Sequence, residues 1–105
     1  MKFEFSPHVA FQVKDYEKAR EFYEKVLGME VVSTSENETH FKKGEMNFYM
    51  ENAETNLTFF EFKVDDVQKA KNELENEGCK VTQIYSEKSI MFVDPYGMRF
   101  HVWEE

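Results

Sequence analysis

The chain repeats itself, and the repeat limits what it can fold into. Val13, Asp15, Lys18, Ala19 and Glu24 recur as Val64, Asp66, Lys69, Ala70 and Glu75, each displaced by 51 positions, and matching Gly28 with Gly78 costs a single residue. A period of that size means one supersecondary unit used twice. In the first copy, residues 5–13 alternate as a strand does, with Val9, Phe11 and Val13 on one face and His8, Ala10 and Gln12 on the other. Asp15 is predicted to cap a helix with its carboxylate. The helix has an apolar stripe of Tyr16, Ala19, Tyr23, Val26 and Leu27, widened by Phe22 and stopped by Gly28. Strands are expected at about 30–34, 39–43 and 46–51.

After the polar stretch 52–56 the same plan returns: a strand at 58–64, Asp66 as cap, and Val67, Ala70 and Leu74 as stripe. Gly78 ends this helix, and strands follow at about 79–85, 88–93 and 98–104. The last is entered through Asp94-Pro95-Tyr96-Gly97, where proline sets φ for the turn and glycine tolerates the positive φ that closes it. The predicted class is α+β, a single domain, 1–105, made of two βαβββ modules, 1–52 and 57–105.

Length agrees, since 105 residues suffice for one core and not for two independent ones. With 41% hydrophobic residues, including 11 Phe and 5 Tyr, the chain packs and does not stay disordered despite its charge. That charge, −8, repels a phosphate backbone and an anionic membrane, so neither nucleic acid nor membrane is an expected partner. No apolar run approaches the ~20 residues of a membrane span. Glu4 and Pro7 interrupt the N-terminal aromatics where a secretion signal would be continuously apolar, which implies a cytoplasmic protein. Cys79 is the single cysteine and reads as a small apolar residue opening a strand.

Function should lie on the strand faces turned away from the helices. These collect His8, Ala10 and Gln12; Asn47, Tyr49 and Glu51; Phe59, Glu61 and Lys63; and Arg99, His101 and Trp103. Acids, bases and aromatics mixed in this way resemble the wall of a binding cleft more than a core. The repeat sets His8 against Phe59 and Tyr49 against His101. His40 has no matching partner in the pattern and stays outside the candidate site.

Three segments carry a family resemblance: His8-Val9-Ala10-Phe11-Gln12-Val13-Lys14-Asp15, the helix end Phe22-Tyr23-Glu24-Lys25-Val26-Leu27-Gly28-Met29, and the Asp94-Pro95-Tyr96-Gly97 turn before the last strand. They resemble the vicinal oxygen chelate superfamily, which holds glyoxalase I, bleomycin-resistance proteins, fosfomycin-resistance enzymes, extradiol dioxygenases and methylmalonyl-CoA epimerase. The resemblance implies a cup-shaped mixed β-sheet with a helix packed outside each half, often within a homodimer. In metal-dependent members, the first and fourth strands of each module each supply one ligand. His8 matches the first-strand histidine, but Tyr49, Phe59 and His101 stand where Glu, His and Glu would be. Phenylalanine cannot ligate, so the four-ligand site is broken.

Two readings follow from the resemblance. In the first, a metal-free cup of the bleomycin-resistance type binds a small neutral or cationic molecule. Tyr49, Phe59 and Trp103 supply flat apolar contact, and His8, Gln12, Glu61, Arg99 and His101 orient its polar groups. In the second, His8 and His101 hold a divalent metal (Zn, Ni, Mn or Fe) with a carboxylate. Glu51 or Glu61 then ligates or moves a proton in a lactoylglutathione-lyase-like lyase, isomerase or dioxygenase. Structural roles remain open beside these: Trp103 in a dimer contact, and His101 hydrogen-bonded within its sheet.

Overall fold

The computed structural model describes residues 1–105 and shows two compact units, Pro7–Thr58 and Met1–Ser6 with Phe59–Glu105. The first six residues therefore go with the second half of the chain, where the sequence reading had placed them in module 1–52. Pro7 marks the change, because it lacks the N–H that would continue a strand ladder. On one side of it the Ser6 amide donates to the Glu61 carbonyl at 3.0 Å; on the other the Pro7 carbonyl accepts from the Asn47 amide at 2.8 Å. The single strand expected over 5–13 is thus two, β1 (Glu4–Phe5) and β2 (His8–Val13).

In the unit of residues 7–58, β2 is followed by α1 (Tyr16–Lys25), β3 (Glu30–Thr34), β4 (Glu38–Lys43) and β5 (Met46–Asn52). The strand order is β3-β4-β5-β2, with β2 and β5 parallel and the other neighbours antiparallel. Tyr16, Phe41 and Met50 are buried at its centre, with Phe11, Tyr23 and Phe48 packed around them. Burying a side chain such as Phe41 fully contributes about 1.5–3 kcal/mol.

The apolar stripe of α1 is shorter than expected. Tyr16, Ala19 and Tyr23 face the core, whereas Phe22, Val26 and Leu27 are exposed, the last two lying beyond the helix end at Lys25.

The other unit contains β1, β6 (Thr58–Lys63), α2 (Val67–Asn76), β7 (Lys80–Ser86), β8 (Ser89–Val93) and β9 (Arg99–Trp103). Its order is β1-β6-β9-β8-β7, and β6 and β9 are again the parallel pair. Val67 and Ala70 of α2 pack on Ile90, Phe92, Phe100 and Val102, so the second stripe is as read from the sequence. Gly78 after α2 has φ +95°, and a Cβ there would stand 3.1 Å from the Pro95 ring, so only glycine fits without movement.

The two helix caps differ. The Asp66 carboxylate accepts from the Lys69 amide at 3.1 Å, and Glu104 takes the Val67 amide at 3.0 Å. Asp15 makes no side-chain cap bond. Its ψ of 70° differs from the extended 105° of Asp66, so the carboxylate is not laid over the first-turn amides. No helix is long and apolar enough to cross a membrane.

Candidate functional site

Strand alternation puts the candidate residues of each unit on one face. Parallel pairing of β2 with β5 sets His8 opposite Asn47, Ala10 opposite Tyr49 and Gln12 opposite Glu51, while β4 brings His40 opposite Tyr49. All of these are half-buried. His40, which the sequence left outside, is central: its ring stacks on Tyr49 with centroids 4.5 Å apart and planes 14° from parallel.

His40 Nε2 lies 2.8 Å from Asn47 Oδ1, and the Asn47 Nδ2 donates to the Pro7 carbonyl at 3.4 Å. Since the amide oxygen can only accept, His40 donates through Nε2. The ring of His8 lies 5.7 Å from that of Tyr49, tilted by 38°, and its Nδ1 is buried with no hydrogen-bond partner.

Gln12 and Glu51 are tied to each other. Gln12 Nε2 donates to Glu51 Oε1 at 3.4 Å, and Gln12 Oε1 accepts from the Thr55 hydroxyl.

In the other unit β6 and β9 pair Phe59 with Arg99, Glu61 with His101 and Lys63 with Trp103. Glu61 approaches His101, with Oε2 3.4 Å from Nδ1. Ser89 Oγ lies 2.6 Å from His101 Nε2. A carboxylate only accepts, so the neutral ring carries its proton on Nδ1, and Nε2 accepts from the Ser89 hydroxyl. Tyr85 meets the His101 ring edge-on at 5.8 Å. Neither Ser89 nor Tyr85 was singled out by the sequence, because only the β8–β9 register brings Ser89 beside the histidine.

Trp103 is held firmly. Its Nε1 donates to Ser6 Oγ at 3.3 Å, and Lys63 Nζ stands 5.5 Å over its ring. Lys63 bonds Glu105 at 2.7 Å, which raises the lysine above its ordinary pKa and lowers the carboxylate below its own. One face of the indole is thereby occupied from within the unit.

No group of three or more His, Cys, Asp or Glu side chains comes together in a way that could hold an ion. Both nitrogens of His101 are engaged, and Glu51 is turned to Gln12. The Nδ1 of His8 is buried without a hydrogen-bond partner.

Residues 6–63, more than half of the chain, match the family described as Glyoxalase/Bleomycin resistance protein/Dioxygenase superfamily. The chain belongs to this superfamily. A comparison with curated proteins finds no match. Among solved structures, a variant of homoprotocatechuate 2,3-dioxygenase from Brevibacterium fuscum is similar at 20% identity and a TM-score of 0.75, over 99% of this chain and 33% of that one. A complex of that dioxygenase with 3,4-dihydroxyphenylacetate gives the same TM-score and identity over 99% of this chain and 37% of that one. The Mn(II)-bound glyoxalase from Novosphingobium aromaticivorans matches at 24% identity and a TM-score of 0.70, over 96% and 38%. The superfamily chain described here thus spans about a third of the length of these proteins and shares their fold.

Proposed function

We propose that this superfamily member binds a small neutral or cationic molecule without a metal, through the helix-free strand faces. The observation that carries this reading is the buried Nδ1 of His8, which has no partner, beside the flat surface of the His40–Tyr49 stack. A polar atom buried without a hydrogen bond costs about 1–3 kcal/mol, which a ligand hydrogen bond would recover. The stacked rings supply apolar contact to the remainder of the ligand. Tyr49 and Gln12 are the proposed contacts for a ligand on this unit's face, and Phe59, Arg99 and Trp103 are the proposed contacts for one on the other unit's own face. The net charge of −8 disfavours an anionic ligand.

Thermal-shift screening of uncharged and cationic aromatics, followed by calorimetric titration, tests the reading. A ligand found this way is expected to lose affinity roughly tenfold or more in His8→Phe and in Tyr49→Ala. Unchanged affinity in both variants would overturn the assignment.

The second reading, a divalent-metal lyase, isomerase or dioxygenase using Glu51 or Glu61, has the structural likeness to the Mn(II)-bound glyoxalase in its favour. Mass spectrometry of the untagged protein, dialysed against Zn, Ni, Mn and Fe, separates the two. Near-stoichiometric metal that is lost in both His8→Ala and His101→Ala would establish the metal reading.

We further propose a cytoplasmic homodimer, supported by the exposed apolar end of α1 (Phe22, Val26, Leu27) and by the lone cysteine. Light scattering would report the dimer.

A further inference from the structure

We propose that Ser89, His101 and Glu61 form a nucleophilic triad that hydrolyses small uncharged or cationic esters. This goes beyond ligand binding and needs no residue of the His8–Tyr49–His40 face, so the two readings fail separately.

The geometry carries the proposal. A serine becomes a nucleophile when a base accepts its proton and a third group holds that base in the right tautomer. Here the Ser89 hydroxyl stands 2.6 Å from His101 Nε2 and the Glu61 carboxylate 3.4 Å from Nδ1, on opposite nitrogens of one ring. The His101 and Glu61 side chains are 22% and 24% exposed, buried enough to be held and open enough to be reached. Ser89 is half-buried at the first residue of β8.

Ser86, Ser35 and Ser6 are employed differently. Ser86 Oγ accepts from the Lys88 amide, and Ser35 Oγ accepts from the amides of Asn37 and Glu38, as turn residues do. Ser6 Oγ accepts from the Trp103 indole. None of these three faces a histidine.

The surroundings indicate the substrate class. Tyr85 packs edge-on to the His101 ring, Met91 is its cross-strand neighbour, and Trp103 is the next residue along the same face. These suit a short acyl or aryl group, and the charge of −8 disfavours anionic esters.

In the reaction, Ser89 Oγ bonds to the ester carbonyl carbon as its proton passes to Nε2. The bond to the leaving oxygen then breaks, and Nε2 gives that oxygen the proton. Water attacks the acyl-serine and loses a proton to Nε2; the acyl–Oγ bond breaks, Oγ takes the proton back, and the carboxylic acid leaves. Nothing is oxidised or reduced. Glu61 acts as a positioning residue by keeping the proton on Nδ1.

The test uses the full chain with p-nitrophenyl acetate, together with a fluorophosphonate label located by peptide mass spectrometry. Expected are a release burst near one equivalent, label on Ser89, and a fall to the buffer rate in Ser89→Ala. Glu61→Gln is expected to lower kcat at least tenfold with KM unchanged while the label is retained. Label on wild-type protein stands even if a variant fails to fold. Hydrolysis unchanged in Ser89→Ala, acylation of a histidine or lysine instead, or a folded protein that neither turns over nor labels would overturn the proposal.

Discussion

Replacing Tyr16 with phenylalanine should cost far more than the loss of one hydroxyl from a surface tyrosine. Tyr16 is 5% exposed, and its hydroxyl lies 2.9 Å from the Ser35 carbonyl and 2.7 Å from Thr39 Oγ1. A carbonyl only accepts, so the Tyr16 proton goes to Ser35 and Thr39 must donate to Tyr16. Thr34, 2.8 Å from Thr39, must then donate to Thr39, and Arg20 donates to Thr34 at 3.2 Å. The chain of bonds has one direction only.

Tyr16→Phe removes the bond to Ser35 and the bond from Thr39, and the Thr39 proton, at a position with no solvent exposure, must turn to Thr34, whose own proton then goes to solvent. Each lost hydrogen bond contributes about 0.5–1.5 kcal/mol, and for the two we expect about 2. For a domain of this size the melting midpoint should fall by about 9 °C, taking about 2.1 cal/mol/K of unfolding entropy per residue. Urea unfolding of Tyr16→Phe, Thr39→Val and the double variant measures it. Both single variants lose the Tyr16–Thr39 bond and the double variant loses it only once, so its loss should be smaller than the sum of the single losses by about 1 kcal/mol. A single-variant cost below about 0.5 kcal/mol, or strict additivity, would refute the reasoning.

Two further outcomes test other features. Asp66→Ala should destabilise by about 0.5–2 kcal/mol through loss of the cap bond to Lys69, whereas Asp15→Ala, with no such bond to lose, should stay within about 0.5 kcal/mol by chemical denaturation. Equal losses would contradict the cap assignment. Burial, with the charges of Asp94 and Glu77, pushes the Cys79 thiol above its ordinary pKa, so the native chain holds less thiolate at neutral pH. Its alkylation by iodoacetamide should be slower than in the urea-unfolded chain near pH 8 and should gain on it as pH rises. Faster native alkylation at pH 8 would contradict this.

Much of the fold is legible in the chain because its signals are local. The helices at Tyr16–Lys25 and Val67–Asn76 follow from stripes of period 3.6 ended by glycine, and the strands follow from alternation. The α+β class and the two βαβββ modules rest on these alone. Alternation also tells which face of each strand carries polar and aromatic residues, so the faces bearing His8, Tyr49, Glu61 and His101 could be drawn before any coordinates. The family follows from motifs that are local too.

What a residue touches across a strand pair is a different quantity. It depends on register between segments far apart in sequence, and no local period encodes it. His40 could be placed on a face by alternation, yet only the β4–β5 register stacks it on Tyr49. Ser89 looks like an ordinary strand-opening residue until β8 lies beside β9 and brings its hydroxyl to His101. The repeat itself misled at Asp15, because equal letters do not ensure equal ψ, and the carboxylate that caps one helix is not positioned to cap the other. Residue types and their periods therefore determined the elements, their faces and the family. Long-range pairing alone decided that Met1–Ser6 go with the second half, that Glu61 lies beside His101, and that His8 Nδ1 is buried without a partner.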